Sequence, residues 1–165
     1  MAGCALLIGS MDYFAQPIQH LLPHAEPMIL IHGLVELGET WLIAAVDLSR
    51  PTLFTGPSGT PAYVALEYMA QAIAAYAGSQ NAARNLPPQI GFLLGTRAFT
   101  SAAVVLPSQG TALVRVDVVF AEEASVSLFD CSLFLANAPE VLLAQASIKV
   151  FQPEDAHRVI ESLNS

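Results

Sequence analysis

A single carboxylate on an apolar helix has the strongest claim to chemistry in this chain. Between residues 61 and 77, Glu67 is the only charged side chain in an otherwise apolar segment. A helix that is hydrophobic on all sides is usually buried, and a buried carboxylate is costly unless it is paired or protonated. Such acids are enriched at functional sites, the alternative being an acid satisfied by its neighbours' hydrogen bonds. Glu67 is therefore the first candidate functional residue.

The four histidines offer no obvious second group, because none has a spacing that pairs it with the acid. We interpret His24, at a predicted turn, and His32, within a predicted strand, as structural. His20 lies on a short predicted helix and His157 in the polar C-terminal segment. The sequence contains no HExxH motif, cysteine pair or carboxylate cluster of the kind that binds metals, and Ser58 has no triad partner. We expect neither a metal nor a cofactor.

The composition predicts an oligomer. The chain has 165 residues, enough for one domain, of which 54% are hydrophobic and only 12% are charged. A typical domain of this size has about a quarter charged residues. Too few polar side chains are present to cover a monomer, so we expect a large apolar interface in a homodimer or heterodimer.

Charge and cysteine content exclude several classes of protein. The net charge is −8 and Lys149 is the only lysine, which argues against nucleic acid and against anionic membrane surfaces. The apolar stretch at the start of the sequence is too short to span a bilayer. Cys4 and Cys131 have no metal or redox spacing and are expected to be free thiols in a reducing, cytoplasmic compartment.

The hydrophobic pattern predicts an α+β fold in which one antiparallel sheet wraps a long central helix. The helix is expected over residues 61–81 and a short C-terminal helix over 155–163. Strands are expected over residues 28–37, 41–48, 89–102, 111–122, 125–137 and 141–152, the last four as a meander. We expect a single domain over residues 16–152, with an N-terminal tail over 1–15 and a C-terminal helical tail over 153–165.

Three segments, in this order, resemble the β-hydroxyacyl-ACP dehydratases of the FabZ type. Leu22-Pro23-His24, followed by a proline and hydrophobic residues, is similar to their LPH-x-x-P opening. Residues 61–71 are similar to their P-G-V-L-x-x-E-x-x-A-Q helix, and residues 91–99 to the strand that follows it. The similarity extends over residues 22–120, especially toward the dehydratases of aryl-polyene-type biosynthetic clusters. It implies the hotdog fold and a 3-hydroxyacyl-ACP dehydratase activity.

The resemblance also implies roles for individual residues. Glu67 matches the helix acid that assists departure of the β-hydroxyl group, and the backbone N–H groups of Ala62 and Tyr63 match the site for the thioester carbonyl. Leu53, fourteen positions before Glu67, stands where the family has its catalytic histidine in a G-H-F-P-G segment. Phe54 matches the phenylalanine of that segment. The base of the reaction is therefore missing from its expected place.

Three functions remain compatible with these residues. The first is a dehydratase subunit in which Glu67 works with a histidine supplied by a partner hotdog subunit. The second is a homodimeric hotdog thioesterase in which Glu67 directs a water molecule at the thioester. The third is a non-catalytic hotdog partner in which Glu67 is structural.

The expected substrate is an acyl group on acyl carrier protein, which is itself acidic. A more basic partner subunit would then supply most of the docking surface, and Arg50, Arg84 and Arg97 are the local cationic candidates on this chain. Four aromatic residues are candidates for the lining of an acyl tunnel, although aromatics at such positions usually belong to the core: Phe54, Tyr63, Tyr68 and Phe92.

Overall fold

The computed structural model describes residues 12–121 and 125–164, and in this part of the chain one long helix lies against a six-stranded antiparallel sheet. The predicted N-terminal tail up to residue 11, including Cys4, lies outside the described residues. The helices are α1 (Ala65–Ala82) and α2 (Ala156–Leu163), with 3₁₀ turns at Gln19–Leu21 and Ala62–Val64. The strands are β1 (Gly33–Leu37), β2 (Trp41–Asp47), β3 (Phe92–Ser101), β4 (Thr111–Ala121), β5 (Val126–Leu135) and β6 (Ala138–Phe151).

The predicted α+β architecture is confirmed, but the predicted four-strand meander is wrong. The strand order is β1-β2-β4-β5-β6-β3, so only β4, β5 and β6 follow one another as a meander. The connection after β3 is drawn to the start of α1 instead of forming a hairpin with β4. There the Ala62 N–H donates to the Val104 carbonyl at 2.8 Å and the Leu106 N–H donates to the Thr60 carbonyl at 2.9 Å. As a result, β3 pairs with β6 at the far edge of the sheet.

The segment predicted as a strand from residue 28 becomes a strand only at Gly33. Residues 28–32 belong to no helix or strand but are largely buried, which explains the strand-like hydrophobic pattern. Their backbone groups, however, are partly satisfied by a side chain of α1, because the Leu30 N–H donates to Gln71 Oε1 at 2.8 Å. The apolar pattern reported burial correctly, while the hydrogen-bond partner decided the secondary structure.

Helix α1 is positioned by small residues and apolar packing. Its core-facing side chains include Ala65, Met69, Ala72 and Ile73, all buried. A Cβ atom at Gly78 would collide with the Leu21 carbonyl oxygen, so the glycine allows the 3₁₀ turn at Gln19–Leu21 to pack directly on the helix. This contact brings the Leu22-Pro23-His24 segment alongside α1.

Within the described residues, no helix has the length and apolar character needed to cross a membrane. The free thiol of Cys131 is buried in β5. Burial, together with the nearby carboxylates of Asp130 and Asp117, raises the pKa of this thiol above its ordinary value.

Candidate active site

Glu67 lies in the first turn of α1, and the structure corrects the expectation that it is fully buried. About a third of its side chain, 34%, is exposed, compared with 28% for His24 beside it. The apolar helix is covered by the sheet on one side, whereas the side that carries Glu67 borders an open cleft. An acid in this position is accessible to a substrate and is still partly desolvated.

The buried amide of Gln71 holds one oxygen of Glu67. Gln71 is completely buried and follows Glu67 by four residues, so the two side chains lie on the same face of the helix. Gln71 Nε2 donates to the Met28 carbonyl at 2.6 Å and to Glu67 Oε1 at 2.9 Å, while its Oε1 accepts the Leu30 N–H. Only one amide orientation meets both backbone groups, and both Nε2 hydrogens are then in use. Among the described residues, Glu67 Oε2 has no hydrogen-bond partner.

His24 is the titratable group nearest to that acid. Its Nε2 lies 3.9 Å from Glu67 Oε1, about 1 Å beyond hydrogen-bond length. Its Nδ1 is buried and has no hydrogen-bond partner in the described part of the chain. The interpretation of His24 as a purely structural residue did not anticipate this contact, because the two residues are 43 positions apart in sequence and meet only through the packing of residues 19–30 on α1.

The two side chains lie at a cleft of about 550 Å³ that runs along α1. Most of its wall is apolar, and polar groups make up the rest. The apolar lining includes Ile73, Ala74, Ala77, Ile90, Leu93, Phe129 and Val150, and the polar lining includes Tyr76, Gln80, Asn81, Arg84 and Gln152. The size and the lining suit a chain-like apolar ligand whose reactive end meets the Glu67–His24 pair.

The four residues expected to bind substrate do not line this cleft. Leu53 borders a separate hollow with His32 and Arg50, and its side chain is 61% exposed. Phe54 is also exposed. Ala62 and Tyr63 line a shallow hollow beside Val104.

The two backbone N–H groups proposed for the thioester carbonyl differ in their availability. The Ala62 N–H is occupied by the Val104 carbonyl at 2.8 Å. The Tyr63 N–H donates to no backbone carbonyl outside its own helix within the described residues. The Ala62 N–H is therefore not available to a ligand in this chain.

The aromatic candidates divide in an unexpected way. Tyr68 belongs to the core, where burial raises its pKa to about 12. Tyr63 and Phe54 are exposed, and Phe92 stacks on Phe151. The aromatic residues that line the cleft are instead Tyr76 and Phe129, which meet edge to face at 5.9 Å.

Sequence comparison identifies the family. Residues 16–161 match the ApeP-like family, which is described as ApeP dehydratase. The chain belongs to the ApeP-like dehydratase family. The resemblance to hotdog dehydratases is thereby confirmed. No curated protein matches the chain.

Solved structures place the chain in the hotdog fold. The dehydratase heterocomplex ApeI:P from Xenorhabdus doucetiae superposes with a TM-score of 0.80 at 23% identity, covering 90% of this chain and 98% of that chain. A hypothetical thioesterase with coenzyme A from Streptococcus pneumoniae has a TM-score of 0.56 at 7% identity, covering 73% of this chain and 84% of that chain. A putative esterase from Mycobacterium tuberculosis has a TM-score of 0.54 at 13% identity, covering 74% and 90%. At these identities the likeness establishes the fold alone.

Proposed function

We propose that this protein is the carboxylate-bearing subunit of a 3-hydroxyacyl-ACP dehydratase, with Glu67 as the acid that protonates the leaving hydroxyl group. The observation that carries the proposal is the state of Glu67. Its side chain borders an apolar cleft, one oxygen is fixed by Gln71, and the other is free of partners in the described structure. Membership of the ApeP-like dehydratase family supports this reaction over thioester hydrolysis.

The reaction needs a base and an acid on neighbouring carbons. The base takes the proton from the α-carbon, and the C–H electron pair becomes the new Cα=Cβ bond. The β C–O bond breaks as the hydroxyl group takes the proton from Glu67 and leaves as water. The products are a 2-enoyl thioester and water, and solvent returns the proton from the base to Glu67. The Tyr63 N–H, at the start of the helix, is the group we assign to the charge that develops on the thioester oxygen.

We assign the base to a histidine from a partner hotdog subunit. The loop at residues 49–60 has Leu53 where the family pattern has its histidine, and it contains no histidine at any position. Two apolar side chains near the start of α1 are strongly exposed in the single chain, Tyr63 at 64% and Val104 at 86%. Exposed apolar groups of this kind favour burial against a second chain. The assembly of the related ApeI:P proteins as a heterocomplex supports a hotdog partner.

The partner is also expected to carry most of the contact with acyl carrier protein. The chain has a net charge of −8, and Arg50 already lies 3.9 Å from Glu26. Of the three candidate cations, Arg84, at the cleft, and Arg97, on β3, remain to assist docking. A basic partner surface would compensate for the repulsion between two acidic proteins.

A dehydration assay tests the function. The chain is purified alone and together with a co-expressed hotdog protein that carries the G-H-F-P segment, and each sample is given a 3-hydroxyacyl-ACP. We expect enoyl thioester, followed by its ultraviolet absorbance, from the complex only. Glu67→Gln in this chain should lower kcat of the complex by roughly 10² to 10⁴-fold, the usual contribution of a general acid.

One control variant and two alternative outcomes decide how the assay is interpreted. Glu140→Gln, the same substitution at an exposed carboxylate of β6 outside the cleft, should change neither kcat nor the melting temperature. Hydrolysis of acyl-ACP that depends on Glu67, without dehydration, would instead establish a thioesterase. Full dehydration by the complex that contains Glu67→Gln would show that the acid has no role in the chemistry.

A further inference from the structure

The hydrogen bonds around Glu67 distinguish its two oxygen atoms. Gln71 Nε2 donates to the partly buried Met28 carbonyl and Gln71 Oε1 accepts the buried Leu30 N–H, which together fix the amide orientation. The second Nε2 hydrogen then points at Glu67 Oε1. An oxygen that already accepts a hydrogen bond is a poor place for the acid's proton, so the proton of the carboxylic acid belongs on Oε2.

His24 approaches the same oxygen, since its Nε2 lies 3.9 Å from Oε1. The environment of the ring selects a tautomer. The buried Nδ1 has no partner in either tautomer, so the two tautomers differ at Nε2. With the hydrogen on Nδ1, the Nε2 lone pair faces the lone pairs of Oε1. With the hydrogen on Nε2, an N–H group points toward the carboxylate instead.

We propose that His24 is a positioning residue for Glu67: it directs an Nε2–H group at Oε1 and, together with Gln71, reserves Oε2 for the proton that goes to the substrate. This role rests on the proposed dehydratase function. After Glu67 has released its proton, the two donors on Oε1 stabilise the carboxylate that remains. In the described structure no hydrogen bond restrains the His24 ring. A small rotation can therefore bring Nε2 about 1 Å closer to Oε1, to hydrogen-bond length.

Imidazole NMR tests the tautomer without any activity. The full chain is labelled with ¹⁵N-histidine, and a two-bond ¹H–¹⁵N spectrum reports which ring nitrogen carries the hydrogen. The His24 signals are assigned by their loss in His24→Gln. We expect the hydrogen on Nε2 and a bare Nδ1. A hydrogen on Nδ1 would overturn the proposal, whatever the enzyme assay gives.

Kinetics of the complex with the histidine-bearing partner tests the role. His24→Leu should lower kcat roughly tenfold, as for the loss of one hydrogen bond to a charged group, with KM unchanged. His24→Gln keeps an N–H donor and should recover most of the loss. His157→Leu, on the exposed helix α2, is the matched control and should change neither constant.

A double-mutant cycle separates this role from the alternatives. In the Glu67→Gln background, His24→Leu should cause no further loss, because His24 acts only through that acid. Independent, multiplicative losses would refute the proposal, as would a His24→Gln enzyme no better than His24→Leu, which would make His24 a proton-transfer group. An inactive wild-type complex would disprove the dehydratase function, and the tautomer would then stand or fall on the NMR result.

Discussion

Two segments flank the start of α1, residues 22–30 and the loop at residues 49–60. They differ in the hydrogen bonds that hold them in place and in the chemical groups they carry. The first segment is fixed from outside, by the Gln71 side chain, and brings His24 to Glu67. The loop is fixed from within, by hydroxyl groups: the Thr52 N–H donates to Thr55 Oγ1 at 2.9 Å, and Thr55 Oγ1 lies 2.8 Å from Thr60 Oγ1. Leu53 lies at this ordered loop but is solvent-exposed. The loop therefore has a hydrogen-bonded shape but carries leucine where the FabZ pattern has its histidine.

This contrast explains why the resemblance and the geometry point to different histidines. The family pattern assigns the base to the loop, where this chain has leucine. The structure instead places a histidine on the first segment, where the pattern gives it no role in the reaction. We infer that the first segment serves Glu67 and that the loop faces the helix acid of a second subunit.

The largest change should come from restoring the missing histidine. If the loop faces Glu67 of a second subunit, Leu53→His gives the homodimer both groups of the reaction. We expect the purified variant alone to dehydrate a 3-hydroxyacyl-ACP at least tenfold faster than the wild-type chain alone, within the range of a general base. The exposed position should tolerate the change, with a free energy of unfolding altered by no more than about 0.5 kcal/mol.

Leu53→Asn is the control for polarity, since it cannot act as a base near neutral pH. A gain with histidine that disappears in the Leu53→His, Glu67→Gln double variant would join the loop to the acid. Equal rates for the histidine and asparagine variants would show that the loop does not face the acid of a neighbouring subunit, and the comparison between the two segments would lose its functional meaning.

The next effect concerns the anchor of the first segment. Gln71→Leu roughly keeps the volume of the side chain but leaves the Met28 carbonyl and the Leu30 N–H without their hydrogen-bond partner. An unpaired buried group costs about 1 to 3 kcal/mol, and the Met28 carbonyl is only partly buried, so we expect the free energy of unfolding to fall by about 2 to 5 kcal/mol in total. Urea unfolding of the wild type and the variant measures the difference.

Gln80→Leu provides the matched control, because Gln80 lies on the same helix and is exposed. Its free energy of unfolding should change by no more than about 0.5 kcal/mol. If both substitutions lower the free energy of unfolding by the same small amount, the Gln71 side chain does not hold residues 28–30 in place. The position of Glu67 would then need another explanation.

The sequence was most informative where one periodicity dominated. The apolar run around Glu67 predicted α1, and alternating residues predicted the strands, because each pattern reports burial directly. The order of the strands was harder to predict. The residues of β3 do not indicate that it pairs with β6, because the segment between β3 and β4 is held by backbone hydrogen bonds at Ala62 and Leu106. Pairing is a tertiary property, and local pattern does not encode it.

The candidate site divides along the same line. Glu67 was identifiable because a charge on an apolar helix is locally conspicuous. Gln71 carried a readable signal, a second polar residue four positions later on the same helix face, but its backbone partners lie in another segment. His24 had no local signal at all, since its approach to Glu67 depends on Gly78 allowing residues 19–21 to pack on α1. Sites assembled from segments far apart in sequence need the packing before they can be recognised.

The smallest expected effect concerns His32, which follows the first segment in sequence. His32, unlike His24, has a partner for its Nδ1, which accepts the Asp47 N–H at 3.2 Å. Burial, and then the positive charge of Arg50, lower the pKa of His32 below its ordinary 6.5, against weaker opposite effects of Asp47 and Glu26. The unfolded chain therefore takes up this proton more readily than the folded one. The stabilisation is fully present above pH 6.5 and is lost as the pH falls below that value toward the lowered pKa.

Replacing His32 with asparagine isolates this contribution. The Asn Oδ1 can still accept the Asp47 N–H, but the side chain no longer titrates. We expect the free energy of unfolding of the wild type to fall more steeply than that of His32→Asn between about pH 7 and pH 5.5, as measured by urea titration at each pH. Parallel curves would mean that His32 binds its proton equally well in both states. A steeper slope that disappears in His32→Asn would establish that His32 contributes to the stability of the fold through its hydrogen bond with the Asp47 N–H group.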